Sequence, residues 1–110
     1  MNPYMFVIDA VPLKENKNYE TVAGAKIHIW VIDTDISSAE KRALSYVSKY
    51  LWSATKIEHA FAILPQHIDD LGKSELRLYH TALQHGISAD FLAWSNDDNS
   101  PENIVHIGRP

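Results

Sequence analysis

The stretch AKIHIWVI, residues 25–32, decides the fold, because it is rich in β-forming residues and apolar at both alternations. Successive side chains of a strand point to opposite faces of its sheet. The two sets are Ile27, Ile29 and Val31 on one face and His28, Trp30 and Ile32 on the other. Both faces of this strand therefore need cover, and the rest of the chain has to supply it.

The flanking sequence predicts four further strands and three helical segments. Met5–Val11 is bounded by prolines, is rich in β-formers and forms a hairpin with the 25–32 strand. Ser37 and Glu40 have the spacing of a capping box and begin a helix, and Gly86 ends another. The predicted elements are strands Met5–Val11, Ala25–Ile32, Lys56–Leu64, Ser88–Trp94 and Ile104–Ile107, helices Ser37–Trp52, Gln66–Leu71 and Ser74–His85, and a polar loop Ser95–Asn103.

The apolar spacing also predicts which side chains face the sheet. Strict alternation puts four residues of the third strand on one face: Ile57, His59, Phe61 and Ile63. Helical spacing predicts two buried stripes, Ala43, Leu44, Val47, Tyr50 and Leu51 in the first long helix and Leu76, Tyr79, Ala82 and Leu83 in the second.

The order β-β-α-β-α-β, with a short strand at the end, predicts an α+β fold. Helical crossovers join parallel strands, and the opening hairpin adds an antiparallel neighbour. We therefore expect one domain, residues 1–110, built as a two-layer sandwich with a mixed sheet of four to five strands and two main helices. The general layout is similar to ferredoxin-like folds, which host many unrelated functions, so no activity follows from it.

The second face of this sheet is the feature that bears on function. Two helices can cover one face, yet the other still carries Trp30 and Ile32, and monomers rarely expose a large apolar patch. Three arrangements satisfy this constraint: helices on opposite faces, a dimer formed through the uncovered face, or an apolar ligand bound on it. We favour the dimer.

Charge limits the partners. The net charge is −4, which argues against nucleic acid, since a phosphate backbone requires clustered Lys and Arg. Seven basic and six acidic residues precede Ile57, whereas three basic and eight acidic residues follow from there, a balance of −5. The acidic second half makes a basic protein a candidate partner, as in immunity or antitoxin proteins that neutralise one.

Features that the sequence lacks limit where the protein is expected to be located and which reactions it is expected to catalyse. There is no Cys, no apolar run of the length a membrane span needs, and no basic residue ahead of the first apolar stretch. We expect a cytoplasmic protein that binds no membrane. The four glycines are isolated and no nucleophile motif occurs, so we expect no cofactor, and the case for an enzyme is poor.

Few residue clusters suggest a site. His28 and Trp30 could orient and stack a planar ligand, although packing in the core explains them too. Asp33 and Asp35 end the second strand and could hold a hard cation, although acids at a helix entry complement the helix dipole equally well. The candidates for a ligand or interface are His28, Trp30, Ile32, His59 and Phe61.

Two functions remain open. The first is a small binding or protein-interaction module that self-associates through an apolar sheet face, with a basic protein as a second candidate partner. The second is a ligand-binding protein or enzyme of the dimeric α+β type, with His28, Trp30, His59 and Phe61 lining its pocket. We favour the first, because the second requires a pocket that the sequence alone does not indicate.

Overall fold

The order of strands and helices follows the prediction. The computed structural model describes residues 1–95 together with the backbone of residues 104–108. All but the first residue of the predicted loop Ser95–Asn103 lie outside the described residues. The elements are β1 Asn2–Pro12, β2 Val22–Asp33, α1 Ile36–Lys49, β3 Trp52–Ala62, α2 Pro65–Ile68, α3 Lys73–His85, β4 Ile87–Ser95 and β5 Ile104–Gly108.

The strands form one five-stranded sheet in the order β3-β1-β2-β4-β5, with every neighbouring pair antiparallel. The predicted α+β class is confirmed, but the mixed sheet is wrong. The physical reason is that β1 lies between β2 and β3. These two strands run in the same direction, as the crossover through α1 requires, yet they are not neighbours. The strand order also departs from a ferredoxin-like arrangement.

Alternation on β1 and β2 is as predicted, and it creates two distinct faces. We call face A the side that carries Phe6, Ile8, Ile27 and Ile29, all fully buried beneath α1. The helix contributes the side chains of Ala39, Ala43 and Val47 to this cluster. Small residues let the helix approach closely, and each large aliphatic side chain buried here contributes roughly 1.5–3 kcal/mol.

Face B is the opposite side, where Met5, Val7 and Trp30 pack against α2 and α3. The residues that pack on it are Ile68 of α2, Leu71 between the two helices, and Leu78, Tyr79 and Ala82 of α3. The helices therefore lie on opposite faces of the sheet, which is the first of the three arrangements that the sequence allowed. Because α3 covers mainly the β2 and β4 side of face B, the β3 side is left more open.

The helix ends differ in part from prediction. Asp35 and not Ser37 is the N-cap of α1, since its Oδ1 accepts a hydrogen bond from the Ser38 amide at 2.8 Å. Asp and Ser are both favourable N-cap residues, and the cap here is formed by the one that comes first in the chain. In α3, Leu78 packs inward whereas Leu83 is 51% exposed, contrary to the predicted stripe. Gly86 ends α3 as predicted, with φ at 88°.

Two β-bulges in β3 change the alternation that the sequence suggested. The register with β1 shifts between Val7 and Ile8 and again between Asp9 and Ala10, so Glu58 and Thr55 are extra residues in β3. Ile57 consequently packs on face A and not on the same face as His59, as strict alternation predicted. A bulge inserts one residue and resets the period of two.

Candidate functional site

The five residues predicted for the site lie on face B. Their registers place them in rows across the sheet: His59, Val7, His28 and Asp90 form one row, and Phe61, Met5, Trp30 and Ser88 form the next. Ile32 lies beyond Trp30 on β2 and packs at the margin of the same cluster. The sheet therefore brings His28 and His59 to one face, with β1 between them.

Trp30 belongs to the packed part of face B. It is 2% exposed, and its ring centroid lies 6.1 Å from that of Tyr79 on α3. Its indole Nε1 has no hydrogen-bond acceptor among the described residues. A ring buried to this extent is not open to a stacked ligand, so Trp30 contributes to the core.

His28 is half-buried at the border between the packed and open parts of face B. Burial lowers its pKa, because desolvation disfavours the charged imidazolium, and the opposing attraction of Asp90 across the strand pair does not reverse this. His59 lies two strands away, and its side chain is 63% exposed. The two histidines therefore have different environments and do not form a pair.

A polar cluster of Asp9, Lys26 and Glu58 occupies the open part of face B. The Lys26 Nζ donates a hydrogen bond to Glu58 and lies 3.3 Å from Asp9 Oδ1. These contacts raise the pKa of Lys26, with Glu58 as the main cause, and lower the pKa of Glu58. The cluster links three neighbouring strands. Sequence reasoning missed it, although the hairpin register that pairs Asp9 with Lys26 was a usable signal.

The two aspartates that could have held a cation have protein partners. Asp33 accepts hydrogen bonds from the Thr34 amide at 2.7 Å and from the Arg42 guanidinium at 3.3 Å. The Thr34 amide is the main cause of its lowered pKa, as the Ser38 amide is for Asp35. Within the described residues, no group of three or more His, Asp or Glu side chains could hold a metal ion.

Among the four strands whose side chains the structure describes, β3 is the least buried, and it lies at one edge of the sheet. Of its residues only Trp52 is buried, while Lys56, Glu58 and His59 are exposed. Phe61 is 42% exposed and Leu64, just beyond the strand, 45%. One side of β3 pairs with β1, and its other side has no neighbouring strand among the described elements.

A groove of about 440 Å³ lies where β1 begins and β3 ends. Its lining is mostly apolar and includes Pro3, Ile63, Pro65, Ile68 and Tyr79, from β1, the end of β3, α2 and α3. None of the predicted site residues lines it. The groove is thus not the histidine and aromatic pocket expected for a ligand-binding protein.

No family model, curated protein or solved structure matches this chain. In the part of the chain that the structure describes, no helix is long and apolar enough to cross a membrane.

Proposed function

We propose that the protein is a small interaction module that self-associates, with β3 as its contact surface. The observation that carries this proposal is an eleven-residue edge strand whose outer side is unpaired among the described elements. Unpaired backbone amides and carbonyls along such an edge offer hydrogen bonds to another strand. Side chains of an incoming strand would add contacts to Phe61 and Leu64.

The contact surface differs from the apolar sheet face that the sequence suggested. Met5, Val7 and Trp30 are each less than a tenth exposed, because α2 and α3 pack over them. The apolar part of face B is thus already used within the fold. An interface through the apolar part of face B would have to displace α2 or α3, whereas an interface along β3 leaves every packed residue in place.

A pocket-based function has less support. Trp30 is inaccessible, and His28 and His59 are separated by Val7 and do not converge on one cavity.

Native mass spectrometry of protein isolated untagged from its own source tests the proposal. The expected result is a concentration-dependent species at twice the chain mass of 12.5 kDa. A basic polypeptide retained in the spectrum would instead identify the other candidate partner, a protein neutralised by the acidic half of the chain. A monomer at every concentration, with nothing bound, would overturn the interaction module.

A further inference from the structure

We propose that β3 pairs antiparallel with β3 of a second copy, around a twofold axis at Ile57. The proposal rests on the self-association argued above and adds its register. In this register each residue pairs with the one at the mirrored distance from Ile57, so Lys56 lies opposite Glu58 of the second copy. Three features of β3 support it: the direction of its backbone groups, the placement of its bulges and its charges.

The first feature is which backbone groups point outward. The Ile63 amide donates to the Pro3 carbonyl, and the Ile32 amide donates away from β1 to the Gly86 carbonyl. In an antiparallel ladder, the amide and carbonyl of one residue point to one side of the strand, and those of the next residue point to the other side. The odd-numbered residues of β1 and the β3 residues opposite them therefore hydrogen-bond to each other. The partners of the even-numbered residues point outward: Trp52, Ala54, Ile57, Ala60 and Ala62.

The second feature is that this outward set is symmetric about Ile57. Ala54 and Ala60 lie three residues before and after it, and Trp52 and Ala62 lie five before and after it. The symmetry arises because the extra residues Thr55 and Glu58 fall on either side of Ile57. A β-bulge normally spoils pairing with a regular strand. A second copy, however, carries the same irregular spacing and matches it.

The third feature is charge. The Lys56 ammonium forms no ion pair within residues 1–95, and it lies on the opposite side of Ile57 from the Glu58 carboxylate. A lysine in the middle of an edge strand usually discourages pairing, since an incoming strand has to oppose it. Here the twofold axis places a carboxylate opposite each lysine. The same residue then disfavours other strands and favours a second copy.

Three of the five outward positions carry small side chains. Ala54, Ala60 and Ala62 are exposed alanines whose side chains lie beside the outward backbone groups, so a second strand can approach without displacing anything. A single strand pair is a small interface, below about 1,200 Å² of buried surface. We therefore expect a dimer with a dissociation constant of the order of micromolar, not a permanent one.

Charge complementation tests the register. In a homodimer of Lys56→Glu, position 56 of each copy and Glu58 of the other copy are both negative. In a homodimer of Glu58→Lys, Lys56 of each copy and position 58 of the other copy are both positive. We expect each change to raise the dissociation constant about tenfold, because both symmetry-related pairs turn from attractive to repulsive. Mixing the two variants restores opposite charges in both pairs, so a heterodimer should form. Lys41→Glu and Glu15→Lys, at exposed positions outside β3, are the matched controls.

A second variant guards against misfolding, since Glu58→Lys also removes the partner of Lys26. Ala60→Pro deletes an outward amide without removing a hydrogen bond to β1, and Ala60→Ser retains the amide as its control. Circular dichroism confirms that each variant is folded, and analytical ultracentrifugation measures its association. We expect Ala60→Pro to abolish the dimer and Ala60→Ser to keep it.

The outcomes separate the two proposals. Recovery of a heterodimer from the mixed charge variants, with loss of the dimer in Ala60→Pro, supports the twofold pairing. A wild-type dimer that none of these changes affects would overturn the pairing and leave self-association standing. A wild-type protein that stays monomeric at all concentrations would overturn both.

Discussion

Arg42 shows how one side chain can connect three parts of this fold. Its Nη1 donates to the Ile32 carbonyl at 2.6 Å and to Asp33 at 3.3 Å, and its Nη2 donates to the Gly86 carbonyl at 3.2 Å. The end of β2, helix α1 and the turn after α3 are thereby held together.

Replacing Arg42 with Met should lower the free energy of unfolding by about 1–2 kcal/mol, because Asp33, only 8% exposed, loses a partner and two backbone carbonyls lose a donor. Chemical denaturation monitored by tryptophan fluorescence measures the change. Lys41→Met, at the exposed neighbouring position, is the control and should have little effect. Equal stability of the two variants would show that the Arg42 contacts do not stabilise the fold.

His28 should make the protein less stable in mild acid. Its pKa in the folded state lies below the ordinary value of 6.5, mainly because of burial, so the unfolded chain binds the proton more readily. The free energy of unfolding should therefore fall as the pH decreases from about 6.5 through the lower folded-state pKa.

Thermal unfolding of His28→Gln across this pH range measures the effect. The variant should lose the part of the decline that His28 causes, so its stability should fall less than that of the wild type over this pH range. A wild-type and a His28→Gln curve with the same slope would contradict a destabilising protonation of His28.

At the scale of elements, Gly86 determines how α3 ends. Its φ of 88° lies in the left-handed region, and a Cβ there would come within 3.0 Å of the Arg42 guanidinium. Gly86→Ala should cost about 1–2 kcal/mol of stability, as expected for a left-handed residue with a side chain. Gly86→Asn should cost less, since Asn tolerates this conformation better. Urea denaturation ranks the two, and the reverse order would contradict the account.

The elements also show what the sequence could and could not predict. The two faces of β2 followed from simple alternation, because β1 and β2 pair without a register shift. The side on which Ile57 lies could not be predicted, since bulges depend on the tertiary pairing with β1 and leave no local signal. The all-antiparallel sheet was missed for a similar reason: the insertion of β1 between β2 and β3 is a property of strand order.

The candidate site was predictable only in part. The alternation of side chains along β2 and β3 predicted one face for His28, Trp30, His59 and Phe61. It did not predict which part of that face α3 would cover. Burial of Trp30 under Tyr79 and exposure of His59 are consequences of where α3 packs. The symmetry of β3 about Ile57 required the positions of both bulges, which the sequence does not reveal.

For the whole molecule, the proposed dimer joins two sheets along their β3 edges into one ten-stranded sheet, twice the five strands of a single chain. The helices of each chain remain on the two faces of its sheet, so no helix has to move when the edges pair. Pairing would cover the exposed β3 edge, which otherwise is a site for aggregation.

Amide hydrogen exchange by NMR at low and high protein concentration tests this dimer most directly. In the single chain, the outward amides of Ala54, Ile57 and Ala60 have no strand partner among the described elements, whereas those of His59 and Phe61 point into the pairing with β1. We predict that exchange at the outward amides slows as concentration rises, while the inward amides stay protected throughout. Outward amides that exchange rapidly at concentrations where the protein is dimeric would contradict the pairing of β3.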